Sequence, residues 1–346
     1  MAKVLVAMSG GVDSSLSAYL LLQKGNEVIG ATMNLTGSDT ESIKSAKSVA
    51  DFLGIPHYVL SFKDIFQKKV LQPFIEGYIR GRTPNPCVLC NRHIKFGILW
   101  DKAKELNCEF IATGHYARIG KDSLGRSVLM KGKGKKEQSY FLYRINPNLL
   151  NHIIFPLGDW DKEEVRIKAE EIGLPVAKRK ESQDLCFIKG GNYRQWLKEI
   201  IPEAFLKGPV IDTKGNLLGW HQGIANFTIG QREGLGLSLG KRYYVKEIQA
   251  EKNTLVVGTE DEIMAEAIMA NDLNWLTDPP ENGEELKAKI RYASPEKKAR
   301  VYLEGDFLKV EFIEPVRAPA IGQSVVLYRD QILVGGGVIC RVYWTK

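Results

Sequence analysis

Two cysteines three positions apart, Cys87 and Cys90, sit in the run Pro-Asn-Pro-Cys-Val-Leu-Cys-Asn-Arg-His-Ile-Lys-Phe (84–96), with Arg82, Arg92 and Lys95 close by. A cysteine acts as nucleophile or metal ligand through its thiolate, and neighbouring cations or a helix start favour that form. Pro84 and Pro86 enforce an extended loop, and Pro86 suits a first helical turn. The spacing then puts Cys87 and Cys90 on one face near a positive helix end, with lowered thiol pKa values. A third cysteine, Cys186, lies in Glu-Ser-Gln-Asp-Leu-Cys-Phe-Ile (181–188), beside the basic run 178–180. Taken singly, each could equally be a small buried hydrophobe, as most free cysteines are. Cys108 and Cys340 lie in plain sheet contexts and read as packing. His57 and His93 have no partner at ligand spacing.

A second chemistry is written at the N-terminus, where Ser-Gly-Gly-Val-Asp-Ser-Ser occupies 9–15. The preceding run from Lys3 is short, apolar and β-branched, as a buried parallel strand is. The following run, ending at Gly25, is an apolar helix. A strand, a glycine turn and a helix start present backbone N–H groups to an anion. Gly10 and Gly11 lack a Cβ, so a phosphate can approach the main chain. Ser9, Ser14 and Ser15 add hydroxyl donors, and Asp13 suits a helix cap or a magnesium ligand. The Gly-Lys-Ser/Thr ending of a Walker loop is absent. The seven residues instead resemble the loop of the ATP pyrophosphatases, which split ATP into AMP and pyrophosphate.

The elements that must position these groups follow from periodicity. Strands over 27–34 and 56–61 alternate with helices carrying Ile43, Ala46, Ala50 and Leu53, then Ile65, Val70 and Phe74. Such alternation predicts α/β architecture with a doubly wound parallel sheet. Ligands of such sheets sit at the carboxyl ends of strands, which is where Met33, Asn34, Gly114 and His115 fall. Asp161 and Glu164 form a capping-box pattern opening a helix that stops at Gly173. Another helix covers 192–201. Beyond Pro202 the chain turns to short β-rich runs, with turns near 213–216 and 251–253, and ends in regular strands without helices, as a small β-barrel does. The expected domains are 1–190, 191–260 and 261–346.

The chain has 346 residues, 44% of them hydrophobic, with a net charge of +7. That excludes extensive disorder and is compatible with a polyanionic partner. No apolar run reaches membrane-spanning length and the N-terminus enters a strand at once, so a cytoplasmic protein without membrane association is expected. Five cysteines, an odd number in a long chain, fit a reducing compartment. The glycine-loosened basic loop Lys-Gly-Lys-Gly-Lys-Lys (131–136) reads by itself as a solvated surface.

Taken together and in order, the motifs at 9–15, 81–96, 114–118, 138–142, 181–188, 227–236, 290–292 and 335–337 resemble the tRNA-specific 2-thiouridylases over nearly the full length. The resemblance implies an adenine nucleotide alpha hydrolase-like ATP pyrophosphatase domain, a small central domain and a C-terminal β-barrel. It implies replacement of the C2 oxygen of the wobble uridine of tRNA by sulfur, with ATP and Mg2+. By position, Ala7, Met8, Ser9, Gly10, Gly11, Val12, Asp13 and Ser14, with Met33 and Gly114, bind ATP. Asn85, Pro86 and Cys87, then Lys136, Glu137 and Gln138, then Arg291 and Tyr292, contact tRNA. Cys90 matches the catalytic cysteine and Cys186 the persulfide carrier, loaded by a sulfur-donor protein (a cysteine desulfurase or a relay protein). The base must leave its stack to react, as in recognition of single-stranded loops.

Two positions depart from the family pattern. Many members carry Asp where this chain has Cys87 and Asp where it has Glu137. The first change makes Cys87, Cys90 and Cys186 a possible ligand set for a [4Fe-4S] cluster, an alternative route to the same product. Another AMP-forming ATP pyrophosphatase, such as an amidotransferase-type synthetase, leaves Cys90 and Cys186 unexplained. A non-enzymatic RNA-binding module leaves the ATP loop unexplained.

Overall fold

The computed structural model describes residues 1–37, 40–179, 185–188, 192–237 and 241–345. Lys180, residues 181–184 of the Cys186 motif and the expected boundary at 190/191 lie outside the described residues. The chain forms two compact units: Met1–Val70 with Cys87–Gln183 and Gln331–Leu333, and Leu71–Pro86 with Asp184–Asp330 and Val334–Lys346.

In the first unit, β1 (Lys3–Ala7), α1 (Val12–Gln23), β2 (Glu27–Asn34), α2 (Thr40–Leu53) and β3 (His57–Ser61) alternate as expected. The short helix α3 (Lys63–Phe66) and a π-helical turn follow, and α4 (Gln72–Ile79) belongs to the second unit. The chain re-enters the first unit through α5 (Pro86–Cys90) and α6 (Leu99–Glu105), joined by the π-helical stretch Asn91–Ile98. Then come β4 (Phe110–Ala112), the hairpin β5 (Ala117–Lys121) and β6 (Ser127–Lys131), β7 (Ile153–Ile154) and α7 (Lys162–Glu171). The sheet order is β3-β2-β1-β4-β7, all parallel. β1 lies at its centre because four of its five residues are apolar and buried on both faces. Val4, Val6 and Met8 pack with Leu16, Leu21, Val49, Val165 and Ala169 in one core. β3 is the edge, and there Tyr58 and Val59 are exposed.

The second unit carries α8 (Tyr193–Ile200), which Asn192 caps by accepting from the Gln195 N–H at 3.1 Å. β8 (Lys207–Asp212), β9 (Leu217–Gln222), β10 (Tyr244–Gln249) and β11 (Thr254–Gly258) form a four-stranded sheet of order β10-β11-β8-β9. β12 (Met264–Trp275), β13 (Glu284–Lys289), β14 (Lys297–Glu304), β15 (Phe307–Arg317), β16 (Ser324–Arg329) and β17 (Ile332–Trp344) run antiparallel and close through β12 and β17. Closure removes the free edges that six exposed strands would otherwise present. The glycines at 335–337 permit that closure. A Cβ on Gly336 would lie 2.1 Å from Val325 O, and one on Gly335 would lie 2.3 Å from Asn274 O. β13 ends at Lys289, two residues before Arg291.

Candidate active site

The loop after β1 is shaped by two glycines. Gly10 has φ +71, and a Cβ there would meet Ser42 O at 2.5 Å. Gly11 is the extended N-cap of α1 and no side chain caps the helix. The first-turn amides of a helix have no partner within it, and their dipoles favour an anion. Ser9 is exposed at the tip, whereas Ala7 and Met8 are buried in the strand end. Gly114 follows β4, beside β1, and a Cβ on it would lie 2.8 Å from the Ser14 amide nitrogen. Met33 is half-buried at the carboxyl end of β2, on the other side of β1. The parallel sheet thus brings 7–14, Met33 and Gly114 to one edge.

One assignment at this loop changes: Asp13 is not the cap, since Gly11 holds that position and Asp13 lies in the first turn. The Ser14 and Ser15 hydroxyls donate within the loop. Ser15 Oγ donates back to Gly11 O at 2.8 Å, and Ser14 Oγ donates to Gly11 O at 3.1 Å while accepting from the Ser9 N–H. Bonds from a serine hydroxyl to the carbonyl three or four residues back are a common local pattern.

The Asp13 carboxylate is held by groups distant in sequence. Tyr116 Oη donates to Asp13 Oδ1 at 2.8 Å, and Lys162 Nζ lies 2.5 Å from the same oxygen. Sequence reading missed both. The signal was present in the capping box, because Asp161 and Glu164 fix the start of α7 and so aim its first residue, Lys162. On the opposite flank, Arg179 donates through Nη1 to Gly10 O at 2.9 Å.

The cysteine segment begins at Pro86, as its ring predicts, but the two thiols differ. Cys87 is exposed and Cys90 is buried. Crowding by protein pushes the Cys87 thiol up, and the Lys95 charge only partly opposes it. That direction is opposite to the lowering expected from nearby cations, on a side chain that is itself exposed. Asn91, beside Cys90, donates to Phe141 O at 3.0 Å, while its buried Oδ1 accepts nothing from the described residues. The backbone kinks at Phe96 and Gly97, where the helical ladder is broken. His115 packs against the rings of both Phe96 and Phe155, with Lys95 Nζ 3.5 Å from Nε2 and Thr113 Oγ1 2.7 Å from Nδ1. Burial, reinforced by the Lys95 charge, drives its pKa well below the ordinary imidazole range.

In the same unit the basic loop is anchored rather than free-standing. The Lys135 N–H donates to Asp161 Oδ1 at 3.1 Å, and Gln138 exchanges two bonds with the Tyr116 backbone. Glu137 accepts from the Ser139 N–H. Lys135 and Lys136 are exposed.

In the second unit, Asn85 and Pro86 end a loop tied to barrel residues. The Thr83 N–H donates to Ile321 O at 3.0 Å, and Gln323 Nε2 donates to Thr83 O at 2.8 Å. Cys186 is exposed, and its neighbour Phe187 packs edge-on against Phe74 and Trp196, with centroids 5.7 and 5.8 Å apart. Arg291 donates through Nη2 to Ile229 O and Ala318 O at 2.8 and 2.6 Å. Tyr292 is exposed, with Lys289 over its ring. Cys108 is buried, and Cys340 donates to Met269 O at 3.3 Å, both as packing residues would be. Among the described residues no three His, Cys, Asp or Glu side chains are grouped as a metal site. No described helix is long and apolar enough to cross a membrane.

Comparison with known proteins adds the lineage. Family models match 2–190 (tRNA methyl transferase HUP domain), 194–259 (tRNA methyl transferase PRC-barrel domain) and 265–339 (Aminomethyltransferase beta-barrel domain). The tRNA-specific 2-thiouridylase MnmA of Acetivibrio thermocellus is 46% identical over 354 residues, spanning 97% of this chain and 99% of that protein. The protein of the same name from Carboxydothermus hydrogenoformans is 46% identical, spanning 97% of each chain. That of Clostridioides difficile is 43% identical, spanning 97% of this chain and 98% of its own. Identity at this level from end to end, on a chain whose sheet, central strands and barrel fall in that order, decides the matter: the chain belongs to the tRNA-specific 2-thiouridylase family.

Proposed function

We propose that this chain is a tRNA-uridine 2-sulfurtransferase, forming 2-thiouridine at the wobble position with ATP as the activating substrate. The observation that carries this reading is the amide-lined loop at the centre of the parallel sheet, kept open by Gly114 and flanked by Asp13. It suits an anionic triphosphate, and the near-full-length relatives carry the thiouridylase name.

The uridine O2 attacks the α-phosphorus of ATP, and the bond to pyrophosphate breaks. The loop amides of 9–12 stabilise the departing charge. Mg2+, when bound, neutralises further phosphate charge, and the Asp13 carboxylate is the side chain fit to hold it. The terminal sulfur of a persulfide on Cys186 then bonds to C2, and AMP leaves with the former O2. Cys90 attacks Cys186 Sγ, which frees the thiolated base and leaves a Cys90–Cys186 disulfide that an external dithiol must reduce. The exposure of Cys186 suits loading by a sulfur-donor protein, and the burial of Cys90 suits a nucleophile sheltered from water.

In this reading Ala7 to Ser14, Met33 and Gly114 hold ATP. Asn85, Pro86, Cys87, Lys136, Glu137, Gln138, Arg291 and Tyr292 face tRNA. The domain limits are 1–190, 191–260 and 261–346. A [4Fe-4S] cluster on Cys87, Cys90 and Cys186 has no grouped ligand set among the described residues, so no step is routed through one. The absorption spectrum of protein purified without oxygen tests that route separately. The central experiment is pyrophosphate release with and without tRNA. Release that requires tRNA with a wobble uridine is expected, and equal release without tRNA would overturn the assignment.

A further inference from the structure

The peptide that joins β1 to the nucleotide loop is held at both ends. Its N–H, on Ser9, donates to Ser14 Oγ at 3.1 Å. Its carbonyl, on Met8, accepts from the buried Thr32 hydroxyl at 2.9 Å. The paired register of β1 on β2 ends at Ala7 opposite Ala31, and one more main-chain bond runs from the Met8 N–H to Ala31 O. Thr32 therefore continues the strand pairing with a side chain at the point where the loop departs. A hydroxyl has a single proton to donate. Thr32 gives it to Met8 O, so towards His57 Nε2, 2.8 Å away, the same oxygen must accept. That requires a proton on Nε2 of the imidazole. Burial, helped by the Lys47 charge and opposed by Asp51, holds the His57 pKa below the ordinary range, so the ring is neutral near pH 7. Gly30, opposite His57 in the register of β2 on β3, makes the room. A Cβ there would lie 2.5 Å from Met8 Sδ and 3.2 Å from His57 Cδ2. Glycine inside a strand often marks such a close approach.

We propose that His57 and Thr32 are positioning residues for the nucleotide loop: the chain of bonds from His57 Nε2–H to Thr32 Oγ1 to Met8 O sets the plane of the Met8–Ser9 peptide, and with it the direction in which the amides of 9–12 face the phosphates. Both act through Met8 rather than on the nucleotide. This rests on the ATP-binding reading of the loop and adds to it the device that fixes its entry. A peptide whose carbonyl is unheld can rotate about its flanking dihedrals and carry its N–H off Ser14, whereas one bonded on both sides cannot. The imidazole matters because hydrogen bonds in series polarise one another. A donor on Thr32 Oγ1 strengthens the bond that the hydroxyl gives to Met8 O.

Isothermal titration of the full-length protein with α,β-methylene ATP reads the effect. Thr32→Val removes the donor to Met8 O at nearly constant shape and should weaken binding ~5-fold, the scale of one hydrogen bond. His57→Leu should weaken it ~3-fold, by leaving the hydroxyl less polarised. The double variant should bind within ~2-fold of Thr32→Val, because both changes cut the same chain of bonds. Losses that multiply, to ~15-fold in the double variant, would mean two separate packing defects and would overturn the proposal. His57→Gln, whose amide can donate from the place of Nε2, should recover most of the loss, and a glutamine as poor as leucine would overturn it too. Nitrogen NMR of the imidazole-labelled protein should find His57 with its proton on Nε2, and an Nδ1–H tautomer would contradict the chain directly. If Thr32→Val does not fold, the two His57 variants read the same chain from its half-buried end, where unchanged affinity in His57→Leu sinks the proposal. Failure of the unaltered protein to bind the analogue would overturn the ATP-binding reading instead.

Discussion

Tyr116 and Asp13 are 103 positions apart in the chain, yet the phenol donates to the carboxylate at 2.8 Å from a side chain that is 1% exposed. The bond joins the segment after β4 to the first turn of α1, so the nucleotide loop is braced from the neighbouring strand. Tyr116→Phe deletes the donor without changing the volume of the ring. Loss of one hydrogen bond to a charged group should lower unfolding stability by about 1.5–3 kcal/mol. Urea denaturation measures it, and an unchanged midpoint would show that Lys162 alone holds Asp13.

The cysteines separate by chemistry. Cys90→Ser and Cys186→Ser should each abolish thiolation while tRNA adenylation continues, since activation uses ATP and not a thiol. Cys108→Ser and Cys340→Ala should retain turnover, with at most a packing cost. Cys87→Asp exchanges the thiol for a carboxylate and should stay active on the persulfide route. Single-turnover assays with a persulfide donor decide between these outcomes. Full activity in Cys186→Ser would remove that residue as the sulfur carrier.

For the basic loop, the expected effect is on salt dependence. Phosphate contacts release counterions, so affinity falls with salt. Lys135→Gln with Lys136→Gln should weaken tRNA binding and flatten its salt slope by roughly 1–2. An unaltered slope, measured by filter binding over a salt series, would return these exposed side chains to plain surface.

His115 makes stability depend on pH in a defined direction. Its folded pKa lies well below the ordinary value, because burial and Lys95 both disfavour the imidazolium. The unfolded chain therefore binds a proton that the folded chain refuses. The stability His115 contributes is fully present above pH ~6.5 and is lost as pH falls from there toward the folded pKa, by up to about 1.4 kcal/mol per pH unit. His57 and His221, also lowered by burial, add to the same slope. His115→Gln should reduce the acid-side slope by its own share in chemical denaturation between pH 5 and 7. Superimposable profiles for the two proteins would refute the buried neutral imidazole.

Much of this molecule was determined locally. The apolar run before Ser9, the glycines at 10 and 11 and the apolar helix beyond them specify strand, turn and helix within about twenty residues, because each depends on backbone freedom and periodicity alone. The capping box at Asp161 and the helix start at Pro86 are local for the same reason. The alternation of strands and helices likewise announced the parallel sheet, and the helix-free C-terminal strands announced the barrel. What the chain could not announce were relationships whose partners are far apart in sequence. Lys162 and Tyr116 reach Asp13 only because β1 lies beside β4 and α7 packs on α1. A serine in a helical first turn can face a ligand or its own backbone, and only coordinates place the Ser14 and Ser15 hydroxyls on Gly11 O. The thiol of Cys87 departs from its expected direction for a related reason. Neighbouring cations are visible in sequence, but desolvation is a sum over everything packed around the group, and that sum exists only in the folded chain.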